Sequence, residues 1–376
     1  MTMTFTARKS LLAIAAGMTL ASGAFAQSAP SVTLYGTFDL GVESANDGAL
    51  TKTMLQNYTS KFGIKGERSV SSDLSGIFQL ETAVSPDDAK AQNSTQTSGV
   101  LGQRNSFVGL KSNSMGTFMA GTYDTPFKSL SAGGLVNTLG GEGDAMEIIL
   151  HGKASTTAIN APNGGAAVTI FGNVHTRQTN SLVYVSPKFA DVVVKALYSP
   201  DEGQTATSNA PTYSLSAEWN NGTYNLGAAT QQKTVSGTAL YAMSATKVTM
   251  GAVMGNFSGG LAFTTLDNQA VSAANARRTN NAMGTINYTE GPWIFKLAYA
   301  QASESKSGAA DGVNETSVEA LYNLDKQTAL YAGYTQLSNG TNAKGSYAGG
   351  NADNFPVASG YGVTVSATSF GLRYSF

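Results

Sequence analysis

The chain ends on the segment Thr368-Ser-Phe-Gly-Leu-Arg-Tyr-Ser-Phe376, and this segment decides the fold. Successive side chains of an extended strand point to opposite faces. One face of this strand is apolar and aromatic, with Phe370, Leu372, Tyr374 and Phe376. The other face is small or polar, with Gly371, Arg373 and Ser375. One face therefore suits hydrocarbon and the other suits water, as in a membrane barrel with an aromatic girdle; an ordinary half-buried terminal strand is the alternative.

The composition favours the barrel. Charged residues make up 12% and hydrophobic residues 41% of the 376 residues, yet the mean hydropathy is −0.10. After the N-terminus no apolar run reaches the roughly 18 residues that a membrane-spanning helix needs. Apolar and polar residues are therefore interleaved. The 42 glycines, 16 tyrosines and 16 phenylalanines suit sheets with tight turns and aromatic belts.

The chain has no cysteine, which excludes disulfides, thiolate metal sites and thiol nucleophiles. Residues 1–26 have the pattern of a secretory signal peptide: Arg8 and Lys9, an apolar run, then Ala24-Phe25-Ala26 as the cleavage site. Removing these two cations changes the formal charge from −1 to −3. Such a balance argues against a nucleic-acid partner, which would favour clustered Lys and Arg. We therefore expect the mature domain to be residues 27–376.

In sixteen segments apolar and polar side chains alternate, as in strands with one face in contact with water. They are 31–43, 61–67, 74–84, 104–111, 116–124, 180–186, 191–199, 212–220, 223–232, 240–255, 259–267, 281–289, 293–301, 316–323, 328–337 and 366–376. Connections alternate between short and long, like the periplasmic turns and external loops of outer-membrane barrels. The longest runs from about 125 to 178. The pattern predicts an all-β fold, a 16-stranded antiparallel transmembrane β-barrel whose first and last strands pair.

Several of these segments resemble the general porins of Gram-negative betaproteobacteria. The resemblance rests on SVTLYGTFDLGVE (31–43), SKFGIKGERSVSSDLSGIFQLE (60–81), QRNSFVGLKSNSMGTFMAGTYDTPF (103–127), RQTNSLVYVSPKFADVVVKALYS (177–199) and the terminal GLRYSF. It implies an outer-membrane channel, usually a homotrimer, whose third external loop folds inward to narrow the pore. The expected function is passive diffusion of ions and small hydrophilic solutes, with no cofactor and with membrane lipid around the barrel.

The resemblance also implies which residues line the constriction. Loop residues Glu142, Asp144 and Glu147 would supply negative charge, and Lys128, Lys153 and His151 the opposite sign. On the facing wall Lys61 and Arg104 stand where the family carries arginines, and Arg177 matches the arginine that opens a later strand. Strand parity points Lys61 and Lys65 inward but leaves Arg104 ambiguous, because parity groups it with Val108 and Leu110 unless a bulge intervenes.

The sequence departs from the family at three positions of the barrel wall. Lys61 replaces an arginine, and a lysine binds anions less rigidly than an arginine fork. Thr122 and Val183 stand where the family often has a basic residue. We therefore expect an anion preference weaker than that of strongly basic relatives.

Two other classes of function remain open on the sequence. One is a surface adhesin or structural barrel whose inward loop plugs the lumen. The other is an outer-membrane hydrolase using His151 or His175, but the chain has no H-E-x-x-H motif, no G-x-S-x-G elbow and no phosphate loop. The sequence therefore favours a channel and no enzymatic activity.

Overall fold

A computed structural model of the chain describes residues 31–58, 60–87, 101–136, 158–159, 168–169, 174, 177–206, 209–235, 241–268, 277–305, 308–345 and 358–376. The predicted signal peptide, residues 1–26, lies outside this set and stays a prediction. The one described helix, α1 (Pro126–Ser129), has four residues. No helix in the described ranges is long and apolar enough to cross a membrane.

The described residues form an antiparallel sheet that closes on itself. Its strands are β1 (Ser31–Asn46), β2 (Thr51–Asn57), β3 (Lys61–Ser69), β4 (Leu74–Ala83), β5 (Ser106–Ser112), β6 (Gly116–Asp124), β9 (Arg177–Val185), β10 (Val192–Ser199), β11 (Thr212–Asn220), β12 (Tyr224–Val235), β13 (Tyr241–Met254), β14 (Phe257–Asn268), β15 (Arg277–Glu290), β16 (Trp293–Ala302), β17 (Val313–Asn323), β18 (Thr328–Asn339) and β19 (Thr364–Ser375). Strands β7 (Ala158–Ile159) and β8 (Val168–Thr169) pair only with each other.

The first and last strands complete the ring. β1 pairs with β19 from Thr37 opposite Ser375 to Asn46 opposite Ser366. The Phe376 ring packs on the outer face against Phe38, with ring centroids 6.0 Å apart. Gly36 leaves room for this ring, because a Cβ at Gly36 would lie 2.5 Å from a Phe376 carbon. In the described part of this sheet, closure leaves no unpaired strand edge, whose backbone N–H and C=O groups would find no hydrogen-bond partner in lipid. The terminal segment supplies the closing strand, as predicted.

β2 and β3 pair with successive parts of β1 and together occupy one strand position of the barrel. Counted in this way, the 17 strands of the sheet that the structure describes form a 16-stranded barrel. The sequence analysis missed β2, because none of its sixteen strand segments covers residues 44–60. The reason is a bulge: Leu40 pairs with Asn57 but Thr37 pairs with Lys61, so the register shifts by one residue between the two strands. Such an extra residue reverses the inward and outward parity, and the first external loop shrinks to residues 47–50.

The two faces of the barrel differ as the alternation predicts. Large apolar side chains are exposed on the outer face, for example Leu182 at 59%, Phe295 at 46% and Phe370 at 62%. Inward positions between them carry polar side chains such as Asp39, Ser214, Asn281 and Glu319. The barrel therefore presents an apolar surface to its surroundings and encloses a largely polar interior.

Short turns join the strands at the end that carries both Ser31 and Phe376. Two of these turns are held by aspartates that accept hydrogen bonds. Hydroxyl hydrogen bonds from Ser112 and Ser114 lower the pKa of Asp73, and backbone N–H groups of Gln327 and Thr328 lower the pKa of Asp325. The carboxylates therefore stay ionised and cap the turns at neutral pH.

Candidate functional site

β3 and its neighbours place a group of cations on the inner wall. Lys61 and Lys65 share the inward face of β3 with Gly63, which pairs with the inward Tyr35 of β1. The Lys65 ammonium lies 5.2 Å from the centre of the Tyr35 ring. Both lysines point into the lumen, the direction that strand parity indicates.

Arg104 also lies on the lumen side, where it pairs with Glu81 of β4. Its Nε is 2.6 Å from Glu81 Oε1, and the Tyr35 hydroxyl donates to Glu81 Oε2 at 3.0 Å. A continued β4–β5 register would set Asn105 opposite Glu81, yet the Arg104 N–H donates to the Glu81 carbonyl. The pairing therefore slips by one residue before β5, which begins only at Ser106. The predicted strand start at residue 104 is wrong. Because of the slip, Arg104 faces inward, which resolves the ambiguity left by strand parity.

Arg177 opens β9 and meets Asp124 at the end of β6. Its Nη2 is 3.1 Å from Asp124 Oδ1, and Lys128 Nζ is 2.9 Å from the same oxygen. Asn105 Oδ1 accepts from the Asp124 N–H at 2.8 Å and from Arg177 Nε at 3.2 Å. A register shift between Gly121 and Tyr123 turns this end of β6 toward the lumen. Lys128 follows on α1, one turn beyond Asp124.

These groups form one charged face, which we call the basic face: Lys61, Lys65, Glu81, Arg104, Asp124, Lys128 and Arg177. Lys61 interacts electrostatically with Glu81, Arg104, Arg177 and Asp124. The basic face has five cations and two carboxylates. Its local charge is therefore positive although the whole chain carries −1.

The wall formed by β17, β18, β19 and β1 carries more carboxylates. Asp39 accepts from Arg373 Nη2 at 2.8 Å and from the Tyr331 hydroxyl at 2.8 Å. Glu319 pairs with Lys296 at 2.7 Å. Glu43 accepts from Tyr58, and Glu315 accepts from the Ser317 and Thr335 hydroxyls. The lumen charge is therefore unevenly distributed, with its cation excess concentrated on the basic face.

The chain that leaves β6 runs along the inside of the barrel. Thr125 caps α1 by accepting from the Lys128 N–H, and Phe127 is fully buried with Lys247 Nζ 4.7 Å from its ring centre. The Phe127 N–H donates to Ser214 at 3.0 Å, and the Gly133 N–H donates to Glu218 at 2.9 Å.

This inner segment, residues 125–136, continues across the wall to β15. The Leu135 carbonyl accepts from the Thr285 hydroxyl at 2.5 Å. Gly227, Gly251 and Gly260 lie beneath the segment, and a Cβ on any of them would crowd Leu130, Leu135 or Val136. Small residues on three consecutive strands therefore make room for the inner segment.

The structure brings Lys61, Lys65, Arg104 and Arg177 together, while Glu142, Asp144, Glu147, His151, Lys153 and His175 lie outside the described residues. Sequence reasoning missed Glu81 and Asp124, the carboxylates that hold Arg104 and Arg177. Parity could have placed Glu81 inward, but its pairing depends on the slip at β5.

No group of three or more His, Cys, Asp or Glu side chains that could hold a metal occurs among the described residues. Five of the seven charged groups of the basic face instead form ion pairs with one another: Arg104 with Glu81, and Lys128 and Arg177 with Asp124. This arrangement can attract, orient or repel ions in the lumen.

Comparison with known proteins gives consistent results. The sequence model of the family described as Gram-negative porin matches residues 11–342. The major outer membrane protein P.IB of Neisseria lactamica is 25% identical over 390 residues, covering 98% of this chain and 100% of that protein. The anion-selective porin from Comamonas acidovorans superposes with a TM-score of 0.75 at 19% identity, covering 93% of this chain and 100% of that one. The trimer form of Vibrio cholerae OmpT gives 0.66 at 16% identity, with coverages of 93% and 100%.

Proposed function

The chain belongs to the Gram-negative porin family, and from this premise we propose that its channel passes small anions more readily than small cations. The protein is an outer-membrane porin, and its barrel is a channel for passive diffusion of ions and small hydrophilic solutes. A barrel of this strand number is wide enough to hold water in its lumen.

The observation that carries the proposal is the charge of the basic face. The basic face contains five cations and two carboxylates. Of these cations, Lys61 and Lys65 take part in none of the ion pairs between described residues. Charged side chains of one sign lining a pore select ions of the other sign. The fold-level match to an anion-selective porin agrees with this proposal.

The preference should be modest. The adjoining wall of β17, β18, β19 and β1 contributes Asp39, Glu43, Glu315 and Glu319 against Lys296 and Arg373. Three of the five basic-face cations, Arg104, Lys128 and Arg177, are already paired with carboxylates. The uneven charge of these two adjoining walls should orient dipolar solutes as they pass.

We further propose that the third external loop narrows the pore. The contacts of residues 125–136 with the inner wall support this proposal. Glu142, Asp144 and Glu147 would then face Lys61, Lys65, Arg104 and Arg177 across the constriction, and these seven residues would set the size and charge preference.

Three finer proposals accompany the channel function. We propose that residues 1–26 are removed as a signal peptide, that three copies assemble, and that the protein catalyses no reaction. The trimer form recorded for Vibrio cholerae OmpT supports the second, and size-exclusion chromatography with light scattering would test it. Turnover of lipid or peptide that disappears on replacing His151 or His175 would contradict the third.

Reversal potentials across a KCl gradient test the anion preference directly. We expect a chloride-to-potassium permeability ratio above one. Replacing either Lys61 or Lys65 by Gln should lower this permeability ratio about 2-fold. Each replacement removes one charge about 8 Å from the passing ion, and salt screens the field of that charge. Lys326→Gln is a matched control, since Lys326 lies in an exposed short turn. A ratio below one, or equal effects of all three changes, would refute the proposal.

A plugged structural barrel predicts a different result in liposomes. Vesicles that contain a plugged barrel do not swell in small sugars, whereas a porin admits the sugars and the vesicles swell. Swelling at a rate that falls with sugar size would exclude the plugged barrel.

A further inference from the structure

An apolar patch interrupts the polar inner wall beside the basic face. Its floor consists of Met119, Val183 and Leu197, which are 7%, 4% and 3% exposed and pair in one row across β6, β9 and β10. Around them pack four half-buried side chains: Ile77, Phe107, Tyr123 and Val185. We call these seven residues the inner apolar patch.

Strand parity confirms that the patch faces the lumen. Val183 alternates with Leu182, which is 59% exposed on the outer face, and Phe107 alternates with Val108, which is 66% exposed there. The Phe107 and Tyr123 rings meet edge to face with centroids 5.5 Å apart. The interior of a water-filled porin is ordinarily polar, whereas here a half-buried rim with two aromatic rings surrounds an almost fully buried apolar floor.

Cations border the patch on two sides. Lys195 lies directly opposite Val185 in the β9–β10 pairing. Lys65 lies in the same cross-strand row as Phe107, with Gln79 between them. Neighbouring strands are about 4.8 Å apart, so either ammonium group can reach a small molecule resting on the patch. Neither lysine belongs to any ion pair between the residues that the structure describes.

We propose that the inner apolar patch is a binding site for small aromatic carboxylates, with the ring on Phe107 and its neighbours and the carboxylate toward Lys65 or Lys195. This inference rests on the proposed function, because the ligand must enter the lumen. The apolar surface favours a ring over a purely polar anion, and the cations favour an anion over a ring of opposite charge. Both features are needed to select this class of solute.

Three probes separate the two features. Benzoate carries a ring and a negative charge, acetate carries only the charge, and benzylammonium carries the ring with a positive charge. In planar bilayers that contain the full-length protein, benzoate should half-inhibit the chloride current at a concentration about 2- to 12-fold lower than acetate, the range expected for one ring–ring contact. Benzylammonium should inhibit no better than acetate.

Paired variants locate the effect. Phe107→Thr removes the ring but keeps a β-branched residue suited to a strand, and it should bring benzoate close to acetate. Val108→Thr is the matched control on the outer face and should leave the difference unchanged. Ile77→Thr provides a second patch variant should Phe107→Thr fail to fold.

Each contrary outcome is distinct. Equal inhibition by benzoate and acetate in a conducting, anion-preferring channel would overturn the inference and leave the proposed function intact. A cation-preferring channel would overturn the proposed function, whereas the comparison of benzoate with acetate would still decide the inference. A change of conductance in Phe107→Thr with no change in the benzoate–acetate difference would mean that the patch seats another part of the chain, and this also overturns the inference.

Discussion

Replacing Arg104 by Gln should destabilise the barrel far more than replacing Lys111 by Gln, although Arg104 lies just before β5, Lys111 lies within it, and both pair with a glutamate. Arg104 Nε is 2.6 Å from Glu81, and the two side chains are 20% and 8% exposed. Lys111 Nζ is 3.2 Å from Glu67, and those side chains are 46% and 41% exposed. The two pairs therefore differ mainly in burial.

The magnitudes follow from that difference. Without Arg104, the Glu81 carboxylate keeps the Tyr35 hydroxyl as hydrogen-bond donor and the electrostatic interaction with Lys61. Removing one partner of a buried pair costs about 3–5 kcal/mol, and Lys61 should hold the loss near the lower end. An exposed pair contributes below about 1 kcal/mol. The unfolding equilibrium constants of the two variants should therefore differ by roughly 30- to 150-fold.

Urea titration of the barrel refolded into lipid vesicles measures this difference, with the fluorescence of Trp219 and Trp293 as the signal. The double variant Arg104→Gln, Glu81→Gln removes the charge together with its partner and should recover most of the loss. Equal stability of Arg104→Gln and Lys111→Gln would refute the reasoning, because the Arg104–Glu81 pair would then be effectively solvated.

Three further changes test other parts of the structure. Tyr331→Phe removes the hydroxyl that donates to Asp39 and should lower the free energy of unfolding by about 1 kcal/mol in the same titration; no loss would mean that this hydroxyl adds nothing to closure. Gly371→Ala would place a Cβ against the Tyr331 ring and should cost about 1–3 kcal/mol, seen as less folded barrel on unheated gels; a wild-type yield would contradict the contact. Thr285→Val removes the hydroxyl bonded to the Leu135 carbonyl, which weakens the anchoring of the inner segment by about 1 kcal/mol, and should increase the open-channel current noise; unchanged noise would argue against a role of this segment in the pore.

The sequence predicted most of the barrel because a lipid-facing strand must keep apolar residues at every second position. β11 and β16 follow this rule without interruption, and their predicted and observed bounds agree within one residue. β2 could not be found this way, since Leu55 is its only large apolar side chain on the outer face and the register shift before Lys61 reverses the alternation.

The site was less predictable, because its groups come together only through the register. Parity alone pointed Lys61 and Lys65 inward. It could not place Arg104, whose direction depends on a one-residue slip, and it could not reveal that Asp124 binds both Lys128 and Arg177. The inner apolar patch needed the pairing of β6, β9 and β10, since Met119, Val183 and Leu197 are far apart in sequence.

Single-channel recording in a planar bilayer tests most directly whether this barrel encloses a continuous aqueous path. Purified protein added to one side should produce discrete, ohmic current steps whose size rises with KCl concentration. Folded, membrane-inserted protein that gives no steps at any salt concentration would contradict a water-filled channel.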